Sequence, residues 1–253
     1  MRYLNLVLIG ILNTEPEDSI DYRIAKFLLE HIAEFEKFNA TRIATECNVS
    51  KAAITRFCKH IGLEDFLDLQ IMYRISNNST RRTKFQFEGR GDSQNIGIDF
   101  LESSKRVIEN LESRIDWKIL DELVEDIRKF DRVATFGHMH SGNIAMNLQH
   151  DIFIAGKYLF SSHRFGVQRD FILNADSKTL IIIFSATGDY LDRTFPMEFK
   201  TSARIYLITV SKIDPKPNVY RTIDLCSRFD YATSILAMQE YANLIALKFN
   251  SLE

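Results

Sequence analysis

Three basic residues, Lys51, Arg56 and Lys59, lie close together in the stretch CNVSKAAITRFCKHIG, which contains no acidic residue. Ammonium and guanidinium groups at this spacing can neutralise phosphates or donate hydrogen bonds to guanine, and Thr55 between them can donate to either. The chain as a whole has a formal net charge of -2, so a polyanion would meet a local basic patch and not a uniformly basic surface. This stretch is therefore the first candidate for contact with duplex DNA.

Two short helices joined by a tight turn are predicted to position these side chains. Asn39 can cap the first helix, Val49 closes the turn, and Ser50 can cap the second helix. The second helix has an apolar side at helical spacing and ends at Gly62. Its apolar residues are Ile54, Phe57, Cys58 and Ile61. Its outward side and its cap supply the predicted DNA-binding residues, which are Ser50, Lys51, Ala52, Thr55, Arg56 and Lys59.

Two other interpretations of this outward side stay open from the sequence. Most lysines and arginines are simply solvated, so these residues could form a polar helix face without a partner. A helix-turn-helix can also serve protein contact alone. Weak, salt-insensitive binding to genomic DNA fragments would favour that alternative, because phosphate contacts make affinity depend on salt.

Further helices are predicted on either side, which makes the first domain all-α. An apolar run at residues 6–12 is interpreted as a packed helix, with a signal peptide as the alternative. Apolar residues at helical spacing predict helices at about 19–36 and 65–75. The predicted DNA-binding domain covers residues 1–76, and the polar, glycine-containing residues 77–97 are typical of a linker.

Residues 98–253 are predicted to form a second domain of α/β type. Helical spacing at 98–112 and 117–130 precedes four short apolar runs, RVATFG, TLIIIFS, RIYLITVS and TIDLC, which are predicted strands. Helices are also predicted at 142–155, 189–201 and 231–249. Strands that alternate with helices favour a parallel sheet covered on both faces. The predicted fold class is therefore multidomain, an all-α helix-turn-helix domain followed by a three-layer α/β domain.

Composition is that of a soluble globular protein. The chain has 253 residues, of which 45% are hydrophobic and 26% charged, enough for a sizeable core. Its three cysteines, Cys47, Cys58 and Cys226, show no CxxC spacing, so reduced thiols and a cytoplasmic location are expected. A membrane is not a predicted partner, because no apolar run reaches the length needed to span a bilayer.

The stretch NATRIATECNVSKAAITRFCKHIGLEDFLDLQ, residues 39–70, resembles the helix-turn-helix of the RpiR/MurR family of transcriptional regulators. The matching residues are Ile43, Ala44, Val49, Ser50, Ile54, Arg56, Phe57, Gly62, Phe66 and Leu69. The resemblance implies that the second domain is a sugar isomerase (SIS) domain, which binds phosphosugars and dimerises. It further implies that the partners are double-stranded DNA, a phosphosugar effector and a second copy of the chain, with a tetramer as a further option, and that no cofactor is needed.

Two loops of the second domain resemble the SIS loops that bind phosphosugars. The first, GHMHSG at 137–142, is similar to Gly-x-Gly-x-Ser: Ser141 matches the serine, whereas Met139 replaces the second glycine. His138 and His140 lie in the same loop. A methionine at this position could crowd the close approach that glycine permits.

The second loop, SATGDY at 185–190, is similar to Ser-x-Ser-Gly-x-Thr. Ser185 and Gly188 match, Thr187 is a conservative replacement, and Tyr190 stands where threonine is usual. From the residues alone, the serine and threonine hydroxyls of the two loops could hold a phosphate without a metal, or could simply cap helices. The effector-binding residues that the resemblance implies are Ser141, Ser185, Thr187, Gly188, His138 and His140.

Catalysis is not predicted. An isomerase would need a positioned acid or base near these loops, and the spacing of His138, His140, Glu198 and Glu240 singles out no pair. The two histidines also lack a third metal ligand at a recognisable spacing. The sequence therefore predicts a regulator without enzymatic activity or a metal, and the alternative is a phosphosugar isomerase with an accessory helical domain.

Overall fold

The computed structural model describes residues 2–78, 93–195, 199–225 and 231–251, and it divides into two compact units. The described residues of the first unit fall within Met1–Thr83 and Arg164–Val167, and those of the second within Lys84–His163 and Gln168–Glu253. Most of the predicted linker at 77–97 lies outside the described residues, so the domain boundaries placed there stay a prediction.

The first unit is built from helices that bury one apolar side each. They are α1 (Arg2–Thr14), α2 (Ile20–Glu30), a 3-10 helix (Ile32–Lys37), α3 (Ala40–Glu46), α4 (Lys51–His60) and α5 (Phe66–Asn78). The apolar run near the N-terminus lies in α1, where Leu4 and Leu8 are fully buried. The core that these helices share also includes the fully buried Ile24, Ile43 and Phe57.

The helix predicted at 19–36 is two elements. The α-helix ends at Glu30, and the chain continues as a 3-10 helix. His31 separates them: its Nδ1 lies 2.9 Å from the carbonyl oxygen of Phe27, and the two rings stack. The tighter turn brings Phe35 into the core, where its ring centroid lies 4.7 Å from that of Tyr73. Burial of this ring outweighs the local preference for one long α-helix.

The second unit contains a sheet of four parallel strands in the order β1-β2-β3-β4. The strands are β1 (Arg132–Gly137), β2 (Thr179–Phe184), β3 (Arg204–Thr209) and β4 (Arg221–Asp224). The helices are α6 (Ser93–Glu112), α7 (Trp117–Lys129), α8 (His140–Ile154), α9 (Phe165–Leu173), α10 (Tyr190–Thr194) and α11 (Tyr231–Ser251). The first three residues of α9 belong to the first unit.

Alternate residues of the strands enter two separate hydrophobic cores, one on each face of the sheet. Ile182 packs into the core that contains side chains of α6, α7, α8 and α11, whereas Ile181 and Ile183 pack into the core that contains side chains of α9 and α10. A strand that is buried on both faces is the reason for the continuous apolar run TLIIIF. The predicted organisation, an all-α domain followed by a parallel sheet covered on both faces, is confirmed.

Some predicted helices differ from the observed ones. The helix expected at 189–201 ends at Thr194. Phe195 has φ -131° and ψ 83°, outside the helical region, and it precedes a proline, which disfavours the helical conformation in its predecessor. Residues 196–198 lie outside the described residues. Helix α9 was not predicted, α6 begins at Ser93 and not at residue 98, and α8 begins at His140.

Candidate functional site

The turn between α3 and α4 is closed by backbone hydrogen bonds. Asn48 adopts a positive φ of 50°, which asparagine tolerates better than most residues. The next residue, Val49, donates its N–H to the carbonyl oxygen of Ala44 at 2.8 Å and so ends α3. The left-handed residue is therefore Asn48, one position before the valine on which the sequence interpretation placed the turn.

Both helices of this pair are capped as expected. The side chain of Asn39 accepts from Arg42 N–H at 2.9 Å, and the hydroxyl of Ser50 accepts from Ala53 N–H at 3.2 Å. Helix α4 ends where Gly62 adopts a φ of 84° and Leu63 donates its N–H to the carbonyl oxygen of Cys58 at 2.8 Å. Local hydrogen bonds thus fix where α4 begins and where it ends.

Helix α4 has one buried side and one exposed basic side. Its buried residues, Ala53, Ile54, Phe57 and Cys58, are each at most 2% exposed. All six predicted DNA-binding residues are exposed: Ser50, Lys51, Ala52, Thr55, Arg56 and Lys59. No residue of α4 is acidic, so the exposed side presents positive charge together with a small methyl group and a hydroxyl. We call this exposed side the basic face.

One side-chain contact and one buried thiol hold α4 within the first unit. His60, its last residue, places Nδ1 2.5 Å from Oδ2 of Asp21 in the first turn of α2. Cys58 is fully buried, and burial raises the pKa of its thiol to about 12. Burial also raises the pKa of the Cys47 thiol to about 11. Both thiols are free, as predicted, whereas Cys226 lies outside the described residues.

The second candidate site lies where β1 and β2 end. Gly137 pairs in register with Phe184, so the loops that follow these residues, 137–142 and 185–190, leave the same edge of the sheet side by side. A Cβ on Gly137 would lie 2.6 Å from the backbone of Ser141, so glycine is needed for this close approach of β1 to the start of α8. Carboxyl ends of parallel strands are where open α/β sheets bind ligands.

In the first loop, Met139 precedes α8 with φ 52° and ψ -122°. This conformation is strained for a residue with a side chain, whereas glycine adopts positive φ freely. The thioether side chain stays 53% exposed. Ser141, the second residue of α8, is buried. Its hydroxyl oxygen lies 3.6 Å from the sulfur of Met238 and donates to it. Sulfur is a weak acceptor, so a phosphate oxygen would be a stronger partner for this hydroxyl.

In the second loop, the hydroxyls make local contacts. Ser185 Oγ accepts from Tyr190 N–H at 3.1 Å and so serves as a cap, while Thr187 donates its hydroxyl to the carboxylate of Asp189. Gly188 has a φ of 74° and donates its N–H to the carbonyl oxygen of Ser185 at 3.0 Å. An effector that used the two side-chain hydroxyls would have to compete with these contacts.

The loop histidines differ in their surroundings. His138 is half-buried, and its ring stacks on that of Tyr190 with 4.5 Å between centroids. His140, the first residue of α8, is exposed. The ring pair joins the two loops directly. The sequence marks Tyr190 as a departure from the loop pattern and does not single out Gln168, whose side-chain oxygen accepts from the tyrosine hydroxyl. An isolated polar residue in α9 has no spacing that predicts this role.

The other groups considered for chemistry are not assembled into a site among the described residues. Glu240 accepts from the side-chain amide of Asn243 at 3.2 Å, one turn along α11, and Glu198 lies outside the described residues. Within those residues there is no group of three or more His, Cys, Asp or Glu side chains placed to hold a metal ion. None of the described helices is long and apolar enough to cross a membrane.

Comparison with known proteins gives one family match and several distant relatives. Residues 15–78 match the model of the helix-turn-helix domain, rpiR family. An uncharacterized HTH-type transcriptional regulator of Providencia stuartii is 24% identical over 174 residues, which cover 68% of this chain and 62% of that protein. The HTH-type transcriptional regulator HexR of Pseudomonas aeruginosa is 20% identical over 168 residues, 66% of this chain and 59% of that protein. The chain thus spans less than two thirds of the length of these two relatives.

Solved structures share the fold at low sequence identity. The Vibrio vulnificus NanR protein complexed with ManNAc-6P aligns with a TM-score of 0.52 and 15% identity, and the alignment covers 96% of this chain and 90% of that chain. The c3406 protein of E. coli CFT073 aligns with a TM-score of 0.51 and 16% identity over 64% of this chain and 93% of that chain.

Proposed function

We propose that this chain, whose residues 15–78 match the helix-turn-helix domain, rpiR family, is a transcriptional regulator whose affinity for its operator responds to a phosphosugar. The observation that carries the proposal is the basic face of α4, which is exposed along its whole length and free of acidic residues. In a helix-turn-helix, the second helix enters the major groove of DNA, where its side chains reach phosphates and base edges.

The residues of the basic face differ in the contacts that they would make. Lys51, Arg56 and Lys59 neutralise phosphates or donate to guanine, Thr55 donates to either, and Ala52 lets the backbone approach the bases closely. Ser50 keeps its hydroxyl on Ala53 N–H and so orients the first turn of the helix. The regulator is a homodimer in this proposal, because two-fold symmetry lets paired helices read an inverted repeat.

Sequencing of genomic DNA fragments captured by the purified protein tests the DNA-binding role. We expect one enriched inverted repeat. On that site, the logarithm of affinity should fall linearly with the logarithm of salt concentration. When a lysine or arginine is replaced by alanine, the magnitude of this slope should decrease by about 0.9 for each phosphate that the protein no longer neutralises.

A matched control for this measurement is Lys129→Ala, which removes the same charge from an exposed position on α7. We expect this variant to keep the original salt slope, whereas Lys51→Ala and Lys59→Ala reduce it. Weak binding of all fragments, with equal slopes for all variants, would favour a helix-turn-helix that contacts protein alone.

A phosphosugar effector is supported by the two adjoining loops at the carboxyl edge of the sheet and by the likeness to NanR with ManNAc-6P over most of both chains. An effector bound to both loops would bias the geometry of the dimer and hence the affinity for the operator. Because the curated relatives carry the names of transcriptional regulators, we propose that the chain is a cytoplasmic regulator and not an isomerase.

Thermal unfolding in the presence of inorganic phosphate, and of a panel of phosphosugars that includes ManNAc-6P, tests the effector site. We expect at least one phosphosugar to raise the unfolding temperature, because a ligand that binds the folded state stabilises it. Ser141→Ala and Thr187→Val should each diminish the rise, since a phosphate loses a hydroxyl donor in either variant. No stabilisation by any of these anions would contradict the proposal, and conversion of a phosphosugar by the protein would favour the isomerase alternative.

A further inference from the structure

A buried amide joins three chain segments at the carboxyl edge of the sheet. Gln168 on α9 has no exposed surface. Its Nε2 donates to the carbonyl oxygen of Gly137 at 3.1 Å and to that of Ser162, and its Oε1 accepts from the hydroxyl of Tyr190. Both amide hydrogens and the amide oxygen are therefore used. We call these three hydrogen bonds the brace.

The brace reaches both candidate effector loops. Gly137 is the first residue of the 137–142 loop, and Tyr190 is the last residue of the 185–190 loop. Tyr190 is itself 1% exposed, and it makes further contacts with each loop: its ring stacks on His138, and its N–H donates to Ser185 Oγ at 3.1 Å. A threonine side chain at position 190 would be too short to reach Gln168 on α9, so the tyrosine gains a hydrogen bond to that residue.

The hydrogen bonds of the brace matter energetically because the groups that make them are buried. An amide removed from water without partners is costly, whereas a fully satisfied buried network holds its members in one arrangement. Loss of a single partner leaves a buried polar group unsatisfied. Each of the three segments is therefore expected to be held in place by its own hydrogen bond to the amide.

We propose that Gln168 and Tyr190 are positioning residues of the effector site, which hold the two loops at a fixed separation and keep His138 and Ser185 in place before an effector arrives. A site that is already ordered avoids the entropy cost of ordering its loops on binding. The role in effector binding rests on the function proposed above, whereas the holding of the loops does not.

Hydrogen exchange of the full-length protein, measured by mass spectrometry without effector, tests whether the brace holds the loops. Tyr190→Phe removes one hydrogen bond and keeps the ring, so exchange should rise in peptides that cover 185–195 and stay unchanged in 137–142. Gln168→Met removes all three hydrogen bonds at similar volume, so exchange should rise in both loops. Peptides from β3 should be unaffected, which shows that the variants are folded.

Tyr241→Phe is the matched control. Tyr241 is equally buried in the same unit, and its hydroxyl has no hydrogen-bond partner among the described residues, so its removal should leave exchange in both loops unchanged. Equal exchange in the two loops of the unmodified protein, Tyr190→Phe and Gln168→Met would overturn the proposal.

Calorimetric titration with ManNAc-6P then tests the positioning role. We expect Tyr190→Phe to weaken binding about tenfold, the equivalent of one buried hydrogen bond, and Gln168→Met to weaken it further, while affinity for DNA without effector stays unchanged in both. Equal ligand affinity in all variants would overturn the positioning role. Loosened loops in a protein whose unmodified form binds neither inorganic phosphate nor any phosphosugar of the panel would support the brace and contradict the proposed effector function.

Discussion

At the scale of single residues, the two described cysteines are buried core residues and not reactive thiols. Cys47 and Cys58 are 6% and 0% exposed and pack in the hydrophobic core of the first unit. Burial disfavours the charged thiolate, so the pKa of Cys47 rises from 9.0 to about 11 and that of Cys58 to about 12. The thiolate is the reactive form of cysteine.

The folded protein should therefore resist thiol reagents. In a Cys226→Ser variant, we expect neither remaining thiol to react with DTNB at pH 8, and both to react once the protein is unfolded in urea; absorbance of the released chromophore counts the thiols. Rapid reaction of either one in the folded state would contradict its burial.

The same shift predicts a pH dependence of stability. Because the folded-state pKa lies above the unfolded value of 9.0, the unfolded chain loses its thiol protons first as the pH rises. The contribution of these thiols to the free energy of unfolding is thus fully present below pH 9 and declines toward pH 11 to 12. Between pH 9 and pH 12, the free energy of unfolding measured with urea should fall less for Cys58→Ala than for the unmodified protein.

At the scale of the element, the ends of α4 decide how the basic face is presented. Ser50 caps its start, and the left-handed Gly62 ends it, so the helix cannot slide or extend without the loss of a hydrogen bond. The basic face depends on these ends as much as on its own side chains.

Two glycine substitutions in the first unit should have opposite signs. Gly62→Ala puts a Cβ on a residue with a φ of 84°, which we expect to destabilise the protein by about 1–2 kcal/mol. Gly10 lies within α1, and a Cβ there would meet no atom within 4 Å, so Gly10→Ala should stabilise by about 0.5–1 kcal/mol. Urea unfolding followed by circular dichroism measures both. Destabilisation of similar size in the two variants would show that φ at Gly62 is not the cause.

At the scale of the whole molecule, the proposed regulator requires two copies of the chain. We expect sedimentation equilibrium to give twice the chain mass of 29.4 kDa, and the captured operators to contain half-sites one or two helical turns apart, each turn being about 34 Å. In the proposed dimer, two basic faces would reach one side of the duplex.

A monomer at the concentrations that saturate DNA, together with single unrepeated half-sites, would contradict this arrangement. Chain mass and operator symmetry are independent measurements, so agreement between them would separate a functional dimer from a nonspecific association of the purified protein.

Much of the local structure could be predicted because it depends on near neighbours in the chain. The caps Asn39 and Ser50 and the terminator Gly62 act within one helical turn, and they were identified from residue type and spacing. The strands could be predicted for a similar reason: burial on both faces requires unbroken apolar runs such as TLIIIF. The helix break at His31 was missed because it depends on the burial of Phe35 against Tyr73, a contact between elements.

The sequence by itself determined the two domain types, the basic face of α4 and the two loops that follow β1 and β2, since each of these depends on periodicity, capping or strand order. Tertiary structure alone decided which distant side chains meet at this edge of the sheet: Ser141 turns to Met238, and Gln168 reaches across to both loops. These partners are far apart in the chain, and a buried polar group takes whichever partner the packed fold brings within hydrogen-bonding distance.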